Sequence, residues 1–202
     1  GIHNENKISV TGEITELPKY DYTVCGEGFL KGNIYVKRLS EQYDVLPYII
    51  SERLMLIHDL NVGEHTLVGS LRSHNSFEGE RSRLMLNIFV DDICDDEGVV
   101  GNNTAIIEGF ICKQPIYRLT PLDREITDML VAVNRSYGKS DYIPCISWGR
   151  NARFCGQLEV GTKLKLQGRF QSRDYQKKTD EGLITKTTYE LSVNKIFDVI
   201  KK

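Results

Sequence analysis

The chain has 202 residues, 40% of them hydrophobic and 27% charged, with a formal net charge of -2. That length accommodates one large domain or two of roughly 100 residues, and the composition is globular rather than disordered. No apolar run approaches the ~18–20 residues that a membrane-spanning helix needs, and the N-terminus lacks a basic stretch followed by an apolar one, so no export signal is expected.

Five cysteines (Cys25, Cys94, Cys112, Cys145, Cys155) are scattered without a C-x-x-C pair. This predicts free thiols in a cytoplasmic, reducing setting, with neither a disulfide framework nor a zinc site. The total charge conceals an asymmetry. Residues 1–102 carry 9 Lys and Arg against 17 Asp and Glu, a net of -8, whereas residues 103–202 carry 17 against 11, a net of +6. A basic half points to a polyanion partner, and an acidic half is expected to repel phosphates.

In chain order, residues 7–15 alternate polar and apolar (Ile8, Val10, Ile14), which predicts a half-buried strand. Residues 33–39 and 45–50 are two more β-rich runs, 54–60 a short helix ended by Asn61-Val62-Gly63, and 66–73 and 84–90 strands flanking a polar hairpin over 73–82. Residues 91–103 are acidic and rich in Gly and Asn, which suits a linker, and their carboxylates lack the spacing of a calcium loop. The second half reads the same way: strands at 104–113, 127–135, 142–148, 162–173 and 185–199, and a short helix near 151–157.

The parallel is a repeat. Gly12 recurs as Gly109 and D-V-L-P-Y-I (Asp44 onward) as D-Y-I-P-C-I (Asp141 onward), both 97 residues on; Gly63 recurs as Gly161 after 98 and Gly69 as Gly168 after 99. Chance matches do not hold so constant an offset. Five strands with one helix between the third and fourth is the pattern of the OB-fold. The predicted fold is therefore all-β, two tandem five-stranded Greek-key barrels over residues 1–93 and 103–202, with 94–102 as linker. Pro47 and Pro144, inside strands, are expected at edge or bulge positions.

The chemistry concentrates in the second copy. From Asp141 to Phe170, Tyr142 and the single Trp, Trp148, lead into Lys163-Leu164-Lys165-Leu166 and Gly168-Arg169-Phe170. Aromatics interleaved with Lys and Arg on neighbouring strands are what single-stranded nucleic acid requires, faces for bases and charge for phosphates. The runs N-N-T-A-I-I-E-G-F-I-C-K-Q-P (from Asn102), L-V-A-V-N-R-S-Y (from Leu130), D-Y-I-P-C-I-S-W-G-R-N-A, V-G-T-K-L-K-L-Q-G-R-F-Q-S-R-D-Y (from Val160) and T-T-Y-E-L-S-V (from Thr187), in this order, resemble the bacterial single-stranded DNA-binding protein family. The resemblance implies base stacking at four places, matched here by Tyr137, Tyr142, Trp148 and Tyr175, beside Arg135, Lys139, Arg150, Arg169, Arg173, Lys177 and Lys178.

Applied to the first copy, the repeat offsets put Ser40, Val45, Ser51 and Ser76 where the second has its four aromatics, with Phe77 and Tyr43 nearby. The first copy is therefore expected to be degenerate for DNA binding and to serve a structural or partner-binding role. The resemblance also implies a homodimer presenting four OB barrels, and a function in DNA replication, recombination or repair. The family's acidic C-terminal tip, which recruits replication and repair proteins, is not matched by Lys201-Lys202; either the sequence is truncated or the acidic first barrel has taken over that role, and replication and repair proteins stay possible partners. The alternative reading is an OB-fold protein-interaction module, since fold alone does not fix function; RNA binding is a variant of the first reading. Catalysis is not expected: His3, His58, His65 and His74 all lie in the acidic half without a nucleophile at motif spacing, and there is no P-loop. No cofactor or metal site is predicted.

Overall fold

Alternation in the first strand sets the barrel interior. Within β1 (Asn6–Ile14) Ile8, Val10 and Ile14 are fully buried, and within its counterpart β7 (Asn103–Ile111) Ala105, Ile107 and Ile111 are buried in the same rhythm. The β-branched side chains suit a pleated, half-buried surface. The computed structural model describes residues 4–94 and 102–201. Twelve strands and two short helices follow one another as β1, β2 (Lys19–Val24), β3 (Glu27–Lys37), β4 (Tyr43–Ser51), α1 (Glu52–Ile57), β5 (Gly63–Glu78), β6 (Arg81–Cys94), then β7, β8 (Ile116–Leu119), β9 (Glu125–Asn134), β10 (Ser140–Trp148), α2 (Gly149–Cys155), β11 (Lys163–Thr179) and β12 (Gly182–Ile200).

In the first half β1 pairs with β3, β3 with β4, β4 in parallel with β6, β6 with β5, and β5 with β1, which closes a barrel. The second half closes identically through β7, β9, β10, β12 and β11. Two tandem OB barrels are thus observed, each with its helix between the third and fourth barrel strands. The barrels share one sheet, because β1 and β7 pair antiparallel from Asn6 opposite Ile107 to Val10 opposite Asn103. That register is self-complementary under the 97-residue offset, so a pseudo-twofold axis runs through the seam. To serve two neighbours, β1 leaves β7 and meets β3 near its end. Gly12 permits the close approach: a Cβ there would lie 2.3 Å from the Tyr35 carbonyl oxygen, and one at Gly109 2.4 Å from that of Ala132.

Asparagine side chains lock the seam. Asn6 donates to the Leu71 carbonyl (2.7 Å) and accepts from its N–H (2.9 Å), while Asn103 does the same to Phe170 (2.6 and 3.0 Å). Each amide satisfies a backbone pair that the ladder leaves open, as buried polar groups require.

Several expectations are corrected. β2 and β8 were not predicted; every residue of both is exposed, so they carry no apolar alternation to read. The predicted polar hairpin over 73–82 is mostly strand, since β5 continues to Glu78 and β6 begins at Arg81. Of the residues assigned to the linker, Asp91–Cys94 belong to β6 and Asn103 opens β7, while 95–101 lie outside the described residues. Pro47 and Pro144 sit in central strands, not edge strands. The parallel pairings that flank them begin one residue later, at Tyr48 and Cys145, so the missing N–H leaves no gap in the ladder. Among the described residues, no helix is long and apolar enough to cross a membrane.

Candidate nucleic-acid interface

The four predicted stacking aromatics are all on the surface. Tyr142 and Trp148 are 44% and 40% exposed, Tyr175 38% and Tyr137 97%, which removes the alternative that they are core residues. Six residues apart on β10, Tyr142 and Trp148 fall on one face about 20 Å from each other at ~3.3 Å per residue. Trp148 lies opposite Ile126 of β9, and its indole N–H donates to the Ser192 hydroxyl of β12 at 3.2 Å. Tyr175 stands in the outer part of the β11–β12 hairpin, opposite Lys186. Tyr137 occupies the turn between β9 and β10 with φ of 76°, a left-handed conformation that costs a non-glycine residue about 1 kcal/mol or more.

Trp148 also holds the position before α2 where a capping side chain would sit, and it makes no cap hydrogen bond. In the first barrel that position is Ser51, whose hydroxyl accepts from the Leu54 N–H at 3.2 Å. The second barrel therefore forgoes a cap worth ~1 kcal/mol to present an indole.

The predicted cations divide into two groups. Lys139, Arg150 and Lys177 make no side-chain hydrogen bond or ion pair with any described residue. Arg135, Arg169 and Arg173 are engaged. Arg135 forks onto Asp141 (2.7 and 2.6 Å), Arg173 pairs with Glu190 (3.2 Å), and Arg169 donates to Asp44 of the first barrel (2.8 Å). Asp44 is fully buried and also accepts both Arg38 nitrogens and the Ser172 N–H. Burial alone would raise its pKa, but the hydrogen bonds from Arg38, Arg169 and Ser172 outweigh that and hold it below the usual carboxylate range. Asp141 answers symmetrically, accepting the Ser73 N–H at 2.9 Å. Arg38 and Arg169 thus clamp the barrels together through Asp44, and Arg135 holds the Asp141 that Ser73 of the first barrel reaches, whereas the Arg173–Glu190 pair stays within the second barrel. The Arg38–Asp44 pair and the Arg135–Asp141 pair recur at the repeat offset, which is the sequence signal that could have exposed their role. Lys163 and Lys165, part of the basic strand, pair with Glu108 (3.8 Å) and Glu5 (2.9 Å) instead of joining the aromatics.

Sequence reasoning missed a second aromatic group, on the first barrel. Tyr22 stacks on Phe29 with centroids 5.0 Å apart, Phe29 meets Phe89 at 5.8 Å, and the Arg72 guanidinium lies 3.7 Å over the Phe89 ring. Tyr43 and Phe77, which lie near the offset positions, are not in this group; both are exposed. Among the described residues no group of three or more His, Cys, Asp and Glu side chains is placed to hold a metal.

Residues 102–197 match the profile of the single-strand binding protein family. The second half of the chain is thus similar to that family. All eleven predicted site residues, from Arg135 to Lys178, lie within the matched segment of the single-strand binding protein profile. Among curated relatives, the single-stranded DNA-binding protein A of Bacillus subtilis is 30% identical over 37% of this chain and 47% of its own. The single-stranded DNA-binding protein 1 of Staphylococcus aureus is 31% identical over 37% and 48%. The chain thus spans about half the length of the curated relatives it matches. Among solved structures, the wild-type single-stranded DNA binding protein from Thermus aquaticus superposes over 97% of this chain and 93% of its own with a TM-score of 0.74 at 17% identity. A deletion mutant of that protein covers 99% and 97% with the same TM-score at 18% identity. At that identity the likeness establishes the fold, and it extends over both barrels.

Proposed function

We propose that this protein is a non-enzymatic, largely sequence-independent single-stranded DNA-binding protein acting in replication, recombination or repair, and that the second barrel, residues 103–202, carries most of the binding. The observation that supports this reading is the exposure of Tyr137, Tyr142, Trp148 and Tyr175 on that barrel, beside Lys139, Arg150 and Lys177 with no internal partners. Stacking contributes ~1–3 kcal/mol per base, and each phosphate contact adds salt-dependent affinity by counterion release. Arg135, Arg169 and Arg173 enter as supports of the surface, their charge being shared with Asp141, Asp44 and Glu190. A homodimer presenting four barrels is the proposed assembly.

The test is titration of Trp148 fluorescence with oligo-dT at low and high salt. Trp148 is the single Trp, so quenching reports on this surface directly. Strong quenching that fades with rising salt is expected; no quenching and no retardation of the oligonucleotide at low salt would overturn the reading.

A further inference from the structure

We infer that the first barrel carries its own single-stranded DNA platform, built from different positions than the second and continuous with it. This rests on the proposed function above. Where the second barrel sets Trp148 between Ile126 and Ser192, the first has Ser51 opposite Phe29, and Phe89 at the register position of Ser192. The bulk has moved from the third barrel strand to its two neighbours. The aromatic surface is retained at the same place on the barrel, in a column of Tyr22, Phe29 and Phe89 with Tyr22 38% exposed. An offset reading of four positions finds only serines and a valine there, because it looks on the wrong strand.

Charge is exchanged in the same way. In the second barrel Gln171 lies opposite Glu190, and Glu190 takes the Gln171 amide (2.9 Å) and Arg173. In the first barrel the corresponding pair is Arg72 opposite Asn87. The carboxylate is gone and a cation faces the neutral amide. Arg72 is half-buried, stacks on Phe89, and has no hydrogen-bond or ion-pair partner among the described residues. A half-desolvated guanidinium with no close ion pair, Asp141 and Asp91 acting on it only at a distance, is costly to maintain, and it has the form of a phosphate contact set beside a base-stacking ring. Net charge of the half as a whole does not describe this spot: Lys31 and Arg72 line the cleft with Asp21, beside Arg135, whose charge is shared with Asp141.

Continuity comes from the seam. Arg72 and Arg135 line both this cleft of about 260 Å³ and a neighbouring one of about 530 Å³ that reaches Tyr137 and Lys139 of the second barrel. A strand leaving Tyr137 therefore passes Arg72 onto Phe89 and Tyr22 without crossing an uncharged gap.

The experiment moves the fluorescent reporter. In a Trp148→Phe background, Phe89→Trp places the sole indole on the first-barrel column, and oligo-dT is titrated into the full chain. Quenching is expected, together with a shorter occluded length for Arg72→Gln, which installs the second barrel's residue, and a salt slope shallower by about one phosphate for that variant. An unquenched Phe89→Trp signal with unchanged occluded length and slope for Arg72→Gln, while Trp148 of the wild type is quenched, overturns the first-barrel platform and leaves the second-barrel reading intact. If Trp148 is also silent, both fail together. Arg72→Gln keeps the test falsifiable even if Phe89→Trp perturbs packing, since glutamine is the residue the second barrel carries at the corresponding position, and a denaturant melt of the variant checks that it folds.

Discussion

Arg38 of the first barrel donates a 2.6 Å hydrogen bond to the carbonyl oxygen of Ser172 in the second, 134 residues away. The same guanidinium grips Asp44, which in turn receives Arg169 and the Ser172 N–H. One buried carboxylate thereby joins two barrels that already share the β1–β7 ladder.

Asp44 makes the protein acid-sensitive. Its folded pKa lies below the ordinary value of ~3.9, so the unfolded chain takes up the proton first as pH falls. The stabilisation is complete above the unfolded pKa and is lost progressively as pH drops through the folded one. Asp44→Asn is expected to cost about 3 kcal/mol at pH 7, where it strands Arg38 and Arg169, and to flatten the dependence of stability on pH below about 5. Denaturant melts of both proteins across pH 3 to 7 check this; parallel profiles would refute it.

Trp148 and Ser51 occupy equivalent helix-start positions with opposite priorities. Trp148→Ala and Trp148→Ser are expected to lose oligo-dT affinity equally, by roughly 5- to 150-fold for one lost stack. Their stabilities should differ, with the Ser variant about 1 kcal/mol above the Ala variant because it restores the cap. Thermal melts alongside anisotropy titrations separate the two effects.

Tyr137 invites a change of opposite signs. With φ of 76° and almost full exposure, it contributes little packing and holds a strained backbone. Tyr137→Gly is expected to fold at least as stably as the wild type, within about 1 kcal/mol, because glycine adopts that conformation without strain, and to bind oligo-dT more weakly. A Gly variant of undiminished affinity would show that Tyr137 does not stack.

The two classes of cation should separate cleanly. Arg169→Ala is expected to destabilise the fold by about 2 to 3 kcal/mol, since it removes one donor from a fully buried carboxylate. Lys177→Ala should leave stability within ~0.5 kcal/mol and lower the salt slope of DNA binding by about one. Unfolding free energies and log-affinity against log-salt plots for both variants decide the matter.

Much of the fold was legible because it depends on local alternation. Ile8, Val10 and Ile14, or Ala105, Ile107 and Ile111, announce their strands wherever they fall, and the offset between Gly12 and Gly109 announces the second copy. The same reading missed Lys19–Val24 and Ile116–Leu119, whose residues are exposed throughout and carry no burial pattern. At the site, Tyr137, Tyr142, Trp148 and Tyr175 were marked by the resemblance to the single-stranded DNA-binding protein family, but which arginines are free could not be read. Arg169 meets its carboxylate 125 residues away across the barrel seam, a distance that no periodicity spans.

By itself, then, the sequence determined that the chain is two copies of one β barrel and that the second copy bears aromatics and positive charge, since both follow from composition and spacing along the chain. Only the tertiary structure decided that Arg135, Arg169 and Arg173 are committed to ion pairs, that Arg72 makes no ion pair among the described residues, and that Phe29 and Phe89 refill the surface vacated at Ser51. Those facts are set by neighbours on adjacent strands, and strand pairing brings together residues that the chain order keeps apart.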